Sequence, residues 1–376
     1  MKPSRSVPGT ASVVAGRRHF LAATTLTVAG AVLGRRGLAA SPLTAPPVAG
    51  TLVVDKGFAT VFRVAEGVYA TIARPERGPQ ALSNGGLIVG RDGVLIVEGH
   101  YDPSGAAVEL EVARERSRAP IRAAVNSNYH FDHTLGNSRY AAEKIPIIGH
   151  ELTRAKMQQI YGSMKRQSAE KLLDDFKRTL GEARTDAERA RAAADVEAYT
   201  LLVKGVLGAT LTYPTEPVSA RREIDLGGLT VILEPQPGHT PTDLLITVPE
   251  RGVVFTGDLL VNGLYPVTVD ADLAAWRAAL VKLSRMPADT VLVPGHGPVA
   301  GREAVTRQLD LFDHVAQYSE DMFRAGVPLT DAQQRYEVPA RFASLAISSW
   351  AFSIPPAIRK HYAAHVLARG AAAGRN

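Results

Sequence analysis

The chain has 376 residues, with 43 Lys and Arg against 37 Asp and Glu, ten His and no Cys. The absence of cysteine excludes disulfide bonds, a thiolate nucleophile and thiolate metal ligands. Six of the basic residues and no acidic residue lie in the first 42 positions, so the rest of the chain has 37 of each. This balance argues against nucleic acid or an anionic membrane as a partner.

The first 40 residues have the features of an export signal. The paired arginines 17 and 18 precede a 14-residue uncharged run from Phe20 to Leu33, and small residues follow at 37–40. The run is too short to span a membrane, and the pattern is typical of a secretory signal. The paired arginines indicate the twin-arginine export machinery, and hence a periplasmic or secreted protein. We expect cleavage near residue 40 and a loose leader over 41–59; an uncleaved signal anchor is the alternative.

Short apolar runs separated by Gly, Asn and Asp follow from about Thr51, and they predict strands. Residues 86–90 and 93–97 flank Arg91 and Asp92 and predict a hairpin. Further strands are predicted at 121–125, 145–148, 229–233, 244–248, 253–256 and 291–293.

Helical segments lie between and after these strands. Residues 151–209 are rich in Ala, Glu, Arg, Lys and Leu, and Thr185 to Glu188 has the form of a capping box. Residues 273–283 place three leucines and a tryptophan on one helical face. A second capping pattern at Thr330 predicts a helical C-terminal tail over 306–376. The chain is therefore predicted as an α/β domain over 60–305, with a helical insertion at about 151–209.

The residues that could carry chemistry follow the predicted strands. The candidate metal ligands are His130, Asp132, His133, His239, Asp258 and His296. Residues two apart in an extended chain point the same way, so Asn128, His130 and Asp132 can converge on one point. Imidazole and carboxylate groups suit Zn²⁺, with Fe or Mn also possible. Four His and two Asp suffice for one ion or for two ions about 3.5–4 Å apart.

The remaining histidines of the expected mature chain are weaker candidates. His100 and His150 each follow a strand, so either could lie near the metal site. His314, His361 and His365 lie in helical sequence without the intervening Glu of a metalloprotease helix, and they are interpreted as surface residues.

The stretch from Asn128 to His133, with the later His and Asp in the same order, resembles the metal motifs of the metallo-β-lactamase superfamily. The match covers about residues 60–305. It implies an αββα sandwich with the metals at one edge, between two β-sheets. By this resemblance His130 and His239 hold one ion, Asp132, His133 and His296 hold the other, and Asp258 bridges them.

The chain departs from the family pattern at two positions. Asn128 stands where a His is expected, so it is predicted to be a weak ligand or part of the pocket. Glu98 stands where the family usually has Asp, and we expect it to support the ligands from behind. His100, Tyr129 and Tyr265 are predicted as pocket walls.

The resemblance predicts a metal-dependent hydrolase in which metal-bound hydroxide attacks a small ester, lactone or thioester. Asp132 would ligate and orient this nucleophile, and the insertion would cap the metal edge. Three alternatives stay open: a metallo-β-lactamase that hydrolyses β-lactams, a non-catalytic metal or ligand binder, and a di-iron oxidative centre. Asn128 without a Cys ligand argues against the mono-zinc lactamases, which pair an Asn here with a Cys.

Overall fold

The computed structural model describes residues 50–373, so the predicted signal at 1–40 lies outside the described residues. The strands are β1 (Thr51–Asp55), β2 (Ala59–Ala65), β3 (Val68–Ala73), β4 (Gly85–Val89), β5 (Val94–Val97), β6 (Ile121–Val125), β7 (Ile147–His150), β8 (Glu216–Val218), β9 (Arg222–Asp225), β10 (Thr230–Pro235), β11 (Leu244–Val248), β12 (Val253–Val261) and β13 (Val291–His296). They form two sheets. One has eight strands in the order β1 to β8, and the other has five in the order β13-β12-β11-β10-β9.

The helices pack on the outer faces of these sheets and at their ends. They are α1 (Pro103–Arg116), α2 (Phe131–Thr134), α3 (Asn137–Ala142), α4 (Thr153–Met157), α5 (Arg166–Glu182), α6 (Asp186–Gly208), α7 (Leu273–Ser284), α8 (Arg302–Arg324), α9 (Leu329–Arg335) and α10 (Ile354–Ala373). Single turns of 3-10 helix lie at Pro75–Arg77, Pro249–Arg251 and Ala340–Phe342, and a π-helical turn lies at Gln158–Gly162. Among the described residues, no helix is both long and apolar enough to cross a membrane.

The two sheets face each other across a buried core. Val97 and Val125 of the first sheet belong to the same cluster as Ile246 and Phe255 of the second. Helices α1 and α3 cover the outer face of the first sheet, and α7 and α8 cover the outer face of the second. Both faces of each sheet are therefore covered, and the chain forms four layers in the order helices, sheet, sheet, helices. The predicted αββα sandwich is confirmed.

The predicted strands from 86 onward all occur, and β6 and β11 have the predicted bounds. The hairpin is also present, because β4 and β5 pair antiparallel from Gly86–Val97 to Val89–Val94. The strands β1, β2, β3, β8 and β9 were not predicted. Strand β1 lies within the expected leader, and three of its five side chains are exposed. Because an exposed edge strand buries neither face, its sequence does not need to alternate apolar and polar residues, and this alternation is the signal that predicts strands.

The helical insertion is built as predicted and packs on the metal motif. Its capping box is formed, since Thr185 Oγ1 accepts from Glu188 N at 3.2 Å and Glu188 Oε2 accepts from Thr185 N at 3.0 Å. Tyr161 of the π-helical turn and Tyr199 of α6 share a cluster with Phe131 of α2. The insertion therefore lies against the segment that carries the first candidate ligands.

The C-terminal segment differs from its prediction in detail. Helix α8 begins at Arg302, and α9 begins at Leu329 with Pro328 at its N-cap and no side-chain cap. The capping box predicted at Thr330 is therefore wrong, because Thr330 already lies within the helix. The segment before α10 is attached to the insertion: Asp195 of α6 accepts from Ser349 Oγ at 2.7 Å and from Ala351 N at 2.9 Å.

Candidate metal centre

The six candidate ligands meet at one edge of the sandwich, where strands of both sheets end. His130, Asp132 and His133 follow β6, whereas Asp258 lies in β12 and His296 ends β13. All six are buried, with at most 6% of each residue exposed. Gly295 makes the close approach of β13 possible, since a Cβ there would lie 2.0 Å from Asp258 Oδ1. The prediction that distant loops gather at a sheet edge agrees with this geometry.

The ligands form two groups of three. Within each group, the potential ligand atoms lie within 4.8 Å of one another: one group is His130, His239 and Asp258, and the other is Asp132, His133 and His296. Asp258 also reaches the second group, because its Oδ2 lies 3.2 Å from His133 Nε2 and its Oδ1 lies 3.1 Å from His296 Nε2. Its position between the groups is the one expected of a bridging carboxylate.

The donor set fits metal ions. Seven buried side-chain atoms of these ligands have no hydrogen-bond partner among the described residues: His130 Nδ1 and Nε2, Asp132 Oδ1 and Oδ2, His133 Nε2, His239 Nδ1 and Asp258 Oδ1. Buried polar atoms are normally bonded, so a convergent set without partners needs an explanation. Imidazole nitrogens and carboxylate oxygens are the ligands of Zn²⁺ and similar ions, and the two groups could hold such ions.

Further residues contact the Nδ1 atoms of two ligand histidines, on the side away from the candidate metal site, and fix the orientation of the rings. Glu98 Oε1 lies 3.2 Å from His133 Nδ1, and both Glu98 oxygens accept from Ser127 N at 3.3 and 3.2 Å. The carbonyl of Leu82 lies 3.0 Å from His296 Nδ1. Glu98 itself has a φ of 78°, in the left-handed region that costs a non-glycine residue about 1–2 kcal/mol. The chain thus tolerates local strain to place a carboxylate behind His133.

The charges of the centre shift its pKa values strongly. Burial lowers the pKa of His296, but the carboxylates of Asp258 and Asp132 outweigh burial and raise it to about 9. Burial also opposes protonation of His133, whose pKa is nevertheless raised well above its usual value by Asp258 and Glu98. The pKa of His130 is lowered, by burial and then by the nearby His239. Protons therefore compete with metal ions for at least His133 and His296.

Asn128 is buried beside the ligands, but its amide is used within the loop. Its Oδ1 accepts from His130 N at 2.8 Å, and its Nδ2 lies 3.4 Å from Ser127 Oγ. The oxygen that was expected to be a weak ligand therefore bonds the backbone. This contact holds the loop that presents His130, and the structure favours that role for Asn128.

The three predicted pocket residues are placed differently from one another. Tyr129 does lie beside the centre, with its ring centroid 4.7 Å from that of His130 and its hydroxyl donating to Asp270. His100 is no pocket wall, because both of its ring nitrogens are engaged: Nδ1 lies 3.1 Å from Ser83 O, and Nε2 lies 3.1 Å from Glu109 Oε1.

Tyr265 is also corrected. It is buried in the C-terminal cluster, where its hydroxyl donates to Phe342 O at 3.1 Å and its ring faces Trp350. The prediction failed because Tyr265 follows β12 closely in sequence, whereas the loop after β12 turns towards the C-terminal segment. His314 likewise contacts the rings of Tyr336 and Phe342 and is not a free surface residue.

Sequence reasoning missed two polar residues at the centre. Asp243 accepts from Thr240 N at 2.8 Å, and its Oδ1 lies 3.7 Å from His239 Nδ1. Its position four residues after a candidate ligand is a signal that could have found it. Tyr161 is buried, and burial with the charges of Asp132 and Asp270 raises its pKa well above the usual value. The π-helical turn that places Tyr161 there has no recognisable sequence signal.

Comparison with known proteins gives one family. The family model of the metallo-beta-lactamase superfamily matches residues 78–296. A linear primary-alkylsulfatase from Pseudomonas sp. is 24% identical over 257 residues, which cover 62% of this chain and 45% of the relative.

Solved structures with the same fold include the sec-alkylsulfatase Pisa1 from Pseudomonas sp., with a TM-score of 0.53, 16% identity, and coverage of 80% of this chain and 49% of that chain. A metallo-beta-lactamase from Pontibacter korlensis has a TM-score of 0.49 and 17% identity, and the match covers 67% of this chain and 98% of that chain. The chain thus spans about half the length of the alkylsulfatases that it matches.

Proposed function

Because the chain belongs to the metallo-β-lactamase superfamily, we propose that it is an exported, zinc-dependent hydrolase that cleaves a small ester, lactone or thioester. The observation that carries this proposal is the set of seven buried ligand atoms without hydrogen-bond partners among the described residues, divided over two neighbouring groups of three residues. A structural role alone gives no reason to bury at one point so many polar atoms that lack a hydrogen bond.

In this proposal, His130, His239 and Asp258 hold one ion, and Asp132, His133 and His296 hold a second. Bound zinc ions would lower the pKa of a water molecule and polarise the oxygen of the scissile group. Asp132 has two oxygens directed into the site, so one of them can accept a hydrogen of the attacking water and set its direction. Glu98 keeps the His133 ring oriented through the contact at Nδ1.

The leaving atom, oxygen in an ester or lactone and sulfur in a thioester, needs a proton, and the hydroxyl of Tyr161 is the candidate donor, with the proton restored from the attacking water. Its hydroxyl is buried near Asp132 and Asp270, and its ring lies 6.2 Å from that of Tyr129. The insertion that carries Tyr161 also covers the ligand loop with apolar side chains and keeps bulk water out. Exclusion of water strengthens every polar interaction within the site.

A sulfate ester is the second candidate substrate. Two of the relatives are named alkylsulfatases, and a sulfate ester can be cleaved by the same metal-assisted attack of water. The β-lactam alternative and the non-catalytic alternative predict different outcomes of one experiment. A β-lactamase would hydrolyse a chromogenic cephalosporin, and a binding protein would hold metal without turnover.

The test combines metal analysis with a substrate panel. Purified protein is analysed for zinc, iron and manganese, and is then assayed with p-nitrophenyl acetate, a γ-lactone, a thioester, an alkyl sulfate and a chromogenic cephalosporin. We expect one or two zinc ions and turnover of at least one acyl substrate. Dominant iron, or metal with no hydrolysis of any substrate, would overturn the proposal.

Asp132→Ala and His133→Ala are the decisive variants. Each removes a ligand from the second group, so the metal bound by that group and the turnover should both be lost, whereas the group of His130, His239 and Asp258 stays complete. His365→Ala is the matched control, because His365 stacks on Phe323 in the C-terminal segment and is not a candidate ligand. This variant should keep its metal content and its turnover. Full activity in Asp132→Ala would contradict the assigned centre.

Export is part of the proposal and has its own test. It is supported by the paired arginines at 17 and 18 and the uncharged run that follows them. Replacing both arginines with lysine keeps the charge but should block the twin-arginine route, so the full-length protein should accumulate in the cytoplasm. Unchanged delivery to the periplasm in cell fractionation would reject this route.

A further inference from the structure

A cavity of about 600 Å³ lies between α7, α8 and α10, outside the metal centre. Its volume falls in the range of about 300–1,000 Å³ that is usual for small-molecule sites. Its walls are mainly apolar and include Leu311 and Val315 of α8 and Ile354 and Ala357 of α10. A site of this size and lining suits an aliphatic group.

The loop after β12 separates this cavity from the metal centre. Pro266, Thr268 and Ala271 line the cavity, whereas Asp270 of the same loop accepts a hydrogen bond from Tyr129 beside His130. The two sites therefore lie on opposite sides of one loop. A molecule in the cavity would contact the loop without contacting the metal ligands.

The cavity lining includes a lysine without a direct ion pair. Lys360 is half-buried, and Asp270 and Asp272 attract its charge, but among the described residues no carboxylate forms an ion pair with its ammonium group. The acids of the lining have other partners: Asp313 pairs with Arg277 at 2.7 Å, and Asp272 accepts from the amides of Ala274 and Ala275 at the start of α7. His361 also lines the cavity, and burial lowers its pKa, so it is neutral near pH 7.

We propose that this cavity binds an aliphatic monoanion, with its charged head against Lys360 and its chain along the apolar faces of α8 and α10. Residues 354, 357, 361 and 364 of α10 line the cavity over ten residues, which at 1.5 Å per residue gives a length of about 15 Å. The length accommodates a medium-length chain. A partly desolvated ammonium group strengthens a charge-assisted hydrogen bond to an anionic head.

The test uses the metal-loaded full-length protein and decanoate as the probe, measured by isothermal titration calorimetry. We expect one decanoate per chain, a binding affinity at least about ten-fold weaker in Lys360→Gln, and near wild-type affinity in Lys360→Arg. Lys171→Gln, which removes an exposed lysine of α5, is the control and should bind as the wild type does. Equal affinity in Lys360→Gln and Lys171→Gln would overturn the proposal.

Two further measurements separate the cavity from the metal centre, because a carboxylate could also coordinate a metal ion. An excess of acetate, which has the same head and no chain, should leave decanoate binding unchanged if the cavity is the site. Ala316→Phe fills the cavity from α8 and should abolish binding without changing turnover. Displacement by acetate, or undiminished binding in a folded Ala316→Phe protein, would assign decanoate elsewhere and reject the inference.

Discussion

At the scale of single residues, the centre depends as much on the groups behind the ligands as on the ligands themselves. His133 is held between Asp258 on one ring nitrogen and Glu98 on the other, at 3.2 Å each. A carboxylate behind an imidazole fixes which nitrogen faces the site and makes that nitrogen a stronger ligand. Glu98 places its carboxylate in this position behind His133.

Glu98→Gln tests this support. The amide keeps the shape of the side chain but loses its charge, so we expect metal affinity to fall about 10- to 100-fold. Competition with a chromogenic chelator measures the change. Glu111→Gln, at an exposed acid paired with Lys56, is the control and should bind metal as the wild type does. A Glu98→Gln protein with unchanged affinity would show that the contact with His133 has no effect on metal binding.

The ligand residues could be predicted from the sequence, and their surroundings could not. His130, His239 and His296 each follow an apolar strand within a distinctive turn, and chain order alone suggests that they meet. By contrast, the partners of His100 lie 17 and 9 residues away, and no pattern links them. Tyr161 lies in a π-helical turn, a rare conformation that no sequence pattern predicts.

At the scale of elements, the insertion and the C-terminal segment act as one cover over the sandwich edge. Asp195 of α6 binds Ser349 and Ala351, and Arg191 lies 3.7 Å above the ring of Trp350. Phe176 of α5 contacts Phe352, with ring centroids 5.9 Å apart. These contacts join two segments that are far apart in the sequence.

Asp195→Ala should loosen this cover. It leaves the buried Ser349 hydroxyl and Ala351 amide without their acceptor, at a cost of about 1–3 kcal/mol in the free energy of unfolding. We also expect faster proteolysis within the insertion and, on the proposed function, a broader substrate range, because the insertion packs against the segment that carries the first candidate ligands. Asp195→Asn retains an oxygen that can accept and should show a smaller loss. Equal unfolding free energies for wild type and Asp195→Ala, measured with urea, would refute the role.

The prominent elements could be predicted, because the buried strands and the amphipathic helices leave clear periodic patterns. The exposed edge strand β1 and the short β8 and β9 have no such pattern, whereas β2 and β3 were missed although their sequences are largely apolar and partly buried. The start of α9 was placed two residues late because a Thr-x-x-Gln sequence imitates a cap. Pro328, with its fixed backbone angle, is the N-cap of that helix instead.

At the scale of the whole molecule, the charge of the centre links stability to pH. In metal-free protein, the raised pKa values of His133 and His296 favour the folded state below the unfolded value of about 6.5. That contribution is lost as pH rises through the folded pKa, which for His296 is about 9. His130, with its lowered pKa, opposes this trend only below pH 6.5.

We therefore expect the melting temperature of chelator-treated protein to fall between pH 6.5 and 9. The metal-loaded protein should not show this fall, because metal binding requires neutral imidazoles and strengthens as protons leave. Differential scanning calorimetry of both forms across this range measures the difference. A metal-free protein whose melting temperature rises with pH over the same interval would contradict the assigned charges.

The division of the ligands between the two sheets has a consequence for how the protein matures. His130, Asp132 and His133 follow a strand of the first sheet, whereas His239, Asp258 and His296 belong to the second. Each proposed ion takes ligands from both halves, so neither half offers a complete binding site before they dock. Metal binding should then occur late in folding, after the two halves have formed, and should stabilise their association. A chain cut between the two halves would not bind metal with high affinity.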